Sequence, residues 1–259
     1  MSLLGIKTAI ASITAPGTKI YEGDIEKGRI LARKLNNYSA DLVKSDPEKF
    51  GFFASLPSLL DVEGAIKEIE YAHSILKADG FTLFTSYGHG QYLGQISFQP
   101  IWASLNKLKA VVFIHPSETP TTTVNCYMPQ PLIDYPQETT RATSDLVLTG
   151  ARASFPDVKI ILSHAGGTLP FLAQRIAGAG IMPSLKWPRG PLQILADFRS
   201  FYYDTQPCHR VFHNSRHFLN LLIIRKFCLE VMFPMVHCLR LFSSPKVLII
   251  SLMERIIKN

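Results

Sequence analysis

Cysteine is scarce in this sequence and forms no recognisable pattern. Cys126, Cys208, Cys228 and Cys238 are the only four in 259 residues, with no CxxC pair, so neither a disulfide framework nor a zinc ribbon is implied. Long apolar runs are missing as well: FLNLLII (218–224) stops at Arg225-Lys226, far short of the roughly 20 residues that a membrane span needs. The opening MSLLGIKTAIASITAPG has no charged segment followed by an adequate apolar run, so no secretory leader is expected. There is no internal repeat, no helix-turn-helix and no aromatic-basic sheet pattern. These absences lead to an expectation of a reduced, cytoplasmic protein with neither a membrane nor a nucleic acid as partner.

The net charge of +7 is unevenly spread. Residues 209–259 hold eight Lys/Arg against two acids, whereas the preceding 208 hold nineteen bases against eighteen acids. The basic character therefore belongs to the tail, which also contains no glycine and no aspartate after Asp204. Without turn punctuation, its apolar runs and isolated bases do not read as strand-turn-helix units.

What the first four-fifths of the chain does have is alternation. Apolar strands are expected at 7–13, 50–56, 80–86, 110–116, 158–164 and 200–205, separated by helical periodicity at 22–44, 61–77, 98–107, 138–153 and 168–178. Such alternation builds a parallel sheet, and the length suits a barrel. Six units are visible where a closed barrel has eight. The expected division is residues 1–206 as a partial barrel and 207–259 as a basic, apolar-rich tail.

The chemistry-bearing residues stand at strand ends. In VKIILSHAGGTLPFLAQR (158–175) an apolar strand runs into His164, two glycines and a helix start with Thr168 as its expected cap and Pro170 in the first turn. AVVFIHP ends another strand on His115. A lone histidine there is most simply a hydrogen-bonded strand terminus; two in phase on successive units would face one mouth, where neutral imidazoles bind a metal or move protons. Gly166-Gly167 fits either a tight turn or close backbone approach to a ligand. Arg175, two turns into its helix, points away from its own strand end, as a surface charge or as a guanidinium offered to a carboxylate in a neighbouring subunit.

Other candidates have plainer explanations. Asp134 and Glu138 in DYPQETTR, read as a turn and helix start, are expected to be capping acids. The loop FTSYGHGQYLG (84–94) suits covering an aromatic ligand through Phe84, Tyr87 and Tyr92, with His89 facing solvent. In the tail His209, His213 and His217 recur every four residues near Cys208, Cys228 and Cys238, but without CxxC or HExxH they rank below a basic amphipathic segment.

The segments FGFFASLPSLLD, DGFTLFTSYG, VVFIHP, DYPQETTRAT, KIILSHAGGTLPFLAQRI and FYYDT resemble the amidohydrolase-related, metal-dependent decarboxylases, the group of aminocarboxymuconate-semialdehyde and γ-resorcylate decarboxylases, over about residues 1–206. Within that group the likeness is strongest to fungal enzymes of polyketide pathways that act on 6-methylsalicylate. The resemblance implies an α/β fold of the (β/α)₈ TIM-like type, incomplete here at about six units with an irregular C-terminal tail. It also implies a divalent metal, zinc or else manganese, no organic cofactor, and non-oxidative decarboxylation of a small aromatic carboxylic acid by a homodimer.

By motif, His115 matches a metal ligand, His164 the catalytic histidine, and Arg175 an arginine that reaches a partner's substrate, while Phe84 and Tyr87 would wall the aromatic ring. The family's first-strand His-x-His or Glu-x-His pair and its eighth-strand GSDYP-like aspartate have no counterpart in this sequence, and Asp204 of YYDT does not replace that aspartate. The expectation is thus a chain lacking the first and last barrel units. Two alternatives accompany it: a metal-dependent hydrolase on the same barrel, and a non-catalytic remnant that binds homologous subunits.

Overall fold

A computed structural model describes residues 6–119, 129–182 and 189–204, together with the backbone of two strands at 227–231 and 246–251. Its centre is a ring of parallel strands: β1 (Ile6–Ser12), β2 (Phe50–Ser55), β3 (Gly80–Phe84), β6 (Val111–His115), β7 (Lys159–Leu162) and β8 (Tyr202–Asp204). All six lie where the alternation places them. The ring continues through β9 (Phe227–Val231) and β10 (Lys246–Ser251), and β10 pairs with β1 to close the order β1-β10-β9-β8-β7-β6-β3-β2. These two strands come from the tail that the sequence leaves unassigned. FCLEV and KVLIIS are short apolar, β-branched runs of strand length, but no glycine marks their ends.

Alternation along each strand separates two cores. Val112 and Ile114 of β6, Phe81 and Leu83 of β3, and Ile160 and Leu162 of β7 point outward into a layer shared with the helices. Ile10, Phe53, Phe113 and Ile161 point inward and fill the ring. Two residues further along the same phase come Ser12 on β1 and His115 on β6, so the inward face turns from apolar to polar at the carboxyl end. Ser12 and the inward Thr82 share a hydroxyl hydrogen bond of 2.8 Å. At full burial each inward Phe or Ile contributes about 1.5–3 kcal/mol.

The helices α1 (Ile25–Ser45), α2 (Val62–Ser74), α3 (Gln99–Lys107), α6 (Leu169–Ala179) and α7 (Pro191–Arg199) pack outside the ring. A small antiparallel pair, β4 (Ser86–Tyr87) and β5 (Gln91–Tyr92), forms the hairpin after β3. Asp24 and Asp61 cap α1 and α2 by accepting from the amides of Lys27 and Gly64. Asp61 also takes a forked bond from Arg29 at 2.6 and 2.7 Å, and the buried Glu68 accepts from Arg33 and Asn36, which ties α1 to α2. Asn36 in turn exchanges hydrogen bonds with the backbone of Ser55, fixing both helices to the end of β2.

Three local readings change. The segment DYPQETTR does not start a helix: α4 runs from Gln130 to Leu148 and carries Pro136 inside it, followed by the short α5 (Ala151–Ser154). Pro131 is accommodated at the first turn, where no amide is needed, so a proline-rich stretch that reads as a breaker is helical. Thr168 occupies the N-cap position of α6 but makes no capping bond; its hydroxyl faces Thr140 instead. The helix α7 was not foreseen.

Candidate functional site

His115 ends β6 in the inward phase and is 5% exposed. Its Nδ1 lies 2.7 Å from the carbonyl oxygen of Pro116. A carbonyl only accepts, so Nδ1 carries the proton and Nε2 the lone pair. That lone pair accepts from the Thr14 hydroxyl, just past β1, at 2.8 Å. Burial pushes the imidazole down to about 4, against a weaker upward pull from the Pro116 carbonyl, so the ring is neutral at physiological pH.

His164 stands two residues past β7 in an unusual turn. Four consecutive residues, His164, Ala165, Gly166 and Gly167, have φ between 53° and 78°. Left-handed backbone costs a residue with a Cβ about 1–2 kcal/mol, so the two non-glycines here are strained. The turn is held from two sides. Asp204, at the buried end of β8, accepts from the Ala165 amide at 3.3 Å. Thr140 on α4 accepts from the Thr168 amide at 2.8 Å and contacts the Thr168 hydroxyl at 3.0 Å. Gly167 packs so closely on α4 that a Cβ there would overlap the Pro136 carbonyl oxygen and sit 2.7 Å from the Thr140 hydroxyl. Glycine is required at that position for space as well as for φ.

His164 is half-buried, and its Nδ1 is buried with no hydrogen-bond partner among the described residues. Burial first and the nearby His115 second push its pKa down to about 4. Tyr135 of α4 sits between the two histidines, its ring centroid 6.1 Å from that of His115 and 6.3 Å from that of His164, edge-on to both. Tyr135 lies within DYPQETTR between Asp134 and Glu138, and no local pattern there marks it.

The remaining candidates separate. Phe84 lies edge-on to His115 with centroids 6.2 Å apart, and so belongs to this cluster. Tyr87 is 1% exposed; its hydroxyl accepts from the Phe84 amide at 2.9 Å and its ring packs on Phe98 and Phe84. It supports Phe84 from behind and, contrary to the expectation for it, presents no surface to a ligand. Tyr92 is turned to Glu138, donating to a carboxylate that also binds Arg141, and burial pushes its phenol up to about 12. Glu138 is thereby a buried network acid and not a helix cap. Arg175 is exposed on α6, with no ion pair among the described residues. His89 is exposed, as expected. The tail set His209, His213, His217, Cys208 and Cys238 lies outside the described residues, as does the side chain of Cys228.

The described residues do not by themselves make a metal centre. Nε2 of His115 has the lone pair and the second-sphere carbonyl of a ligating histidine. A catalytic zinc, however, takes three protein ligands, and among the described residues no group of three or more His, Cys, Asp or Glu converges.

A family model described as amidohydrolase matches residues 9–227. The chain is 48% identical over 204 residues to a 6-methylsalicylic acid decarboxylase of Penicillium expansum, which covers 77% of this chain and 62% of that protein. It is 30% identical to a γ-resorcylate decarboxylase of Rhizobium radiobacter, over 68% of this chain and 56% of the relative. Among solved structures, a 5-carboxyvanillate decarboxylase of Sphingomonas paucimobilis matches with a TM-score of 0.78 at 24% identity, covering 90% of this chain and 70% of that one. A dihydroxybenzoic acid decarboxylase of Polaromonas, crystallised with manganese and an inhibitor, matches with a TM-score of 0.75 at 25% identity, over 88% and 72%. The chain thus spans about three-fifths of the length of the curated relatives it matches.

Proposed function

The chain belongs to the amidohydrolase family, and from that premise we propose that it serves the non-oxidative decarboxylation of a salicylate-type acid, 6-methylsalicylate to m-cresol, in a fungal polyketide pathway. The observation that carries this reading is the pair of neutral histidines, His115 and His164, both packed on the ring of Tyr135 at the carboxyl ends of adjacent strands. The identity to 6-methylsalicylic acid decarboxylases supports the choice of acid.

In the reaction a proton adds to the ring carbon that bears the carboxylate. The bond to the carboxylate then breaks, its electron pair restores the aromatic ring, and carbon dioxide leaves. His164 is the proton carrier: an imidazole whose pKa is pushed down to about 4 by burial is a strong acid whenever it holds a proton. Phe84 and Tyr135 flank the ring, and Arg175 of a partner chain in a homodimer reads the carboxylate. His115 Nε2 would supply one ligand to a divalent ion, zinc or manganese, in place of the hydrogen bond it accepts from Thr14. The four scattered cysteines fit a cytoplasmic setting.

A second reading, a non-catalytic chain that pairs with homologous subunits, draws on one observation, the lack of a three-ligand cluster among the described residues. Elemental analysis of the purified chain alongside carbon dioxide release from 6-methylsalicylate separates the two. Near-stoichiometric metal with turnover supports the decarboxylase. Absence of both, with co-purification of a longer homologue, supports the second.

A further inference from the structure

His164 is placed by its backbone. Its buried Nδ1 has no hydrogen-bond partner among the described residues, so what aims the imidazole is the turn it stands on and the ring of Tyr135 packed edge-on against it. That turn is strained at His164 and Ala165, at φ 54° and 53°, and strain of this kind persists only where neighbouring structure holds it. Of the four amides from Ala165 to Thr168, two close the turn on itself: Gly166 donates to the Ser163 carbonyl at 2.9 Å and Gly167 to the His164 carbonyl at 2.8 Å. The other two go to side chains on other elements, Ala165 to Asp204 at 3.3 Å and Thr168 to Thr140 at 2.8 Å. Thr140 supplies the shorter bond.

The Thr140 hydroxyl has one proton and two lone pairs. Its proton reaches back to the Pro136 carbonyl at 3.0 Å, which leaves both lone pairs to the turn, one for the Thr168 amide and one for the Thr168 hydroxyl at 3.0 Å. The carbonyl of Tyr135, the preceding residue, is bonded in the same way by the Thr139 hydroxyl at 3.1 Å. One stretch of α4, from Tyr135 to Thr140, therefore sets both the backbone and one flank of His164. We propose that Thr140 is a positioning residue for proton transfer: through the Thr168 amide it fixes the His164 turn on α4, so that the imidazole delivers its proton to the carbon that bears the carboxylate. Thr140 acts through the loop, not on the substrate.

This inference rests on the decarboxylase reading, and kinetics distinguish the failure of each. Thr140→Val keeps the shape of the side chain and removes its oxygen, whereas Thr140→Ser keeps the oxygen. Thr143→Val is the control, at a buried threonine of the same helix whose hydroxyl bonds within the helix, to the Thr139 carbonyl at 2.7 Å. Carbon dioxide release from 6-methylsalicylate is followed with zinc or manganese added, alongside urea unfolding of each full chain. Thr140→Val is expected to lower kcat by about ten- to a hundredfold with KM within about twofold of the parent, the pattern of a displaced reacting group. Thr140→Ser should recover most of that loss, and Thr143→Val should keep the parent kcat whatever stability it loses. If Thr140→Val does not fold, Thr140→Ala, which lacks the oxygen and cannot crowd the site, must show the same loss of kcat. An unchanged kcat without the Thr140 oxygen, or a fall that Thr143→Val matches, makes Thr140 a structural residue only, and the inference falls alone. A parent chain that releases no carbon dioxide with either metal overturns the decarboxylase reading and takes the inference with it.

Discussion

The Thr14 hydroxyl donates to Nε2 of His115 across 2.8 Å, joining the end of β1 to the end of β6. The bond satisfies the Nε2 lone pair and fixes the ring's orientation, while burial keeps the imidazole neutral. Replacing Thr14 with valine keeps the shape and deletes the donor. Nε2 is then left without its partner, and the nitrogen NMR shift of that ring atom is expected to change in the metal-free chain. The loss of stability in urea should be about 1 kcal/mol, the usual worth of one hydrogen bond.

Both histidines give a pH dependence whose sign follows from their depressed pKa values. Unfolded, each titrates near 6.5; folded, each is held near 4 by burial. Above the unfolded value both states are neutral and nothing is lost. As pH falls from about 6.5 to about 4 the unfolded chain binds protons that the folded chain refuses, so stability declines across that window and levels off below it. For the fully buried His115 the loss amounts to about 3 kcal/mol. Urea titrations at pH 7 and pH 4.5 check it: His115→Gln, though weaker overall, should show a smaller difference between the two pH values than the parent.

Much of this site is legible in the sequence, for identifiable reasons. His115 and His164 follow apolar runs of strand length, and a parallel sheet brings the carboxyl ends of its strands to one face. Tyr135 was not legible, since its place depends on a helix that tolerates Pro136 and begins at Gln130, and local propensity opposes both. The closing strands β9 and β10 were missed because pairing in a ring is non-local. KVLIIS becomes a strand by lying against β1, from Ile6 to Ser12, and nothing adjacent in sequence announces that partner.

Two glycines should respond in opposite directions to alanine. At Gly167 the backbone is left-handed, at φ +65°, and the new methyl would collide with the Pro136 carbonyl. Gly167→Ala is expected to cost at least 2 kcal/mol, as for a clash combined with backbone strain. Gly28 lies inside α1 with open space where a Cβ would go. Gly28→Ala should stabilise by about 0.5–1 kcal/mol through helix propensity. Paired urea curves on the two variants decide the matter, and a stabilised Gly167→Ala would disprove the close approach of the histidine turn to α4.

Ala165 gives the sharpest test of the strained turn, because the two effects of removing its methyl oppose each other. The residue is 1% exposed, so deleting the methyl loses about 0.8 kcal/mol of burial, and glycine adds about 0.4–1 kcal/mol of unfolded-state entropy. Against this, glycine relieves about 1–2 kcal/mol of left-handed strain at φ +53°. Ala165→Gly should therefore change stability by less than about 1 kcal/mol. Ala173→Gly, equally buried but in the regular helix α6, should cost at least about 1 kcal/mol, since nothing there offsets the propensity loss. If His164 is the proton carrier, the loosened turn should also lower kcat for decarboxylation while leaving KM near its parent value, the pattern of a displaced reacting group. A large stability loss at Ala165 would show that the turn is not strained, and an unchanged kcat would show that its rigidity does not serve His164.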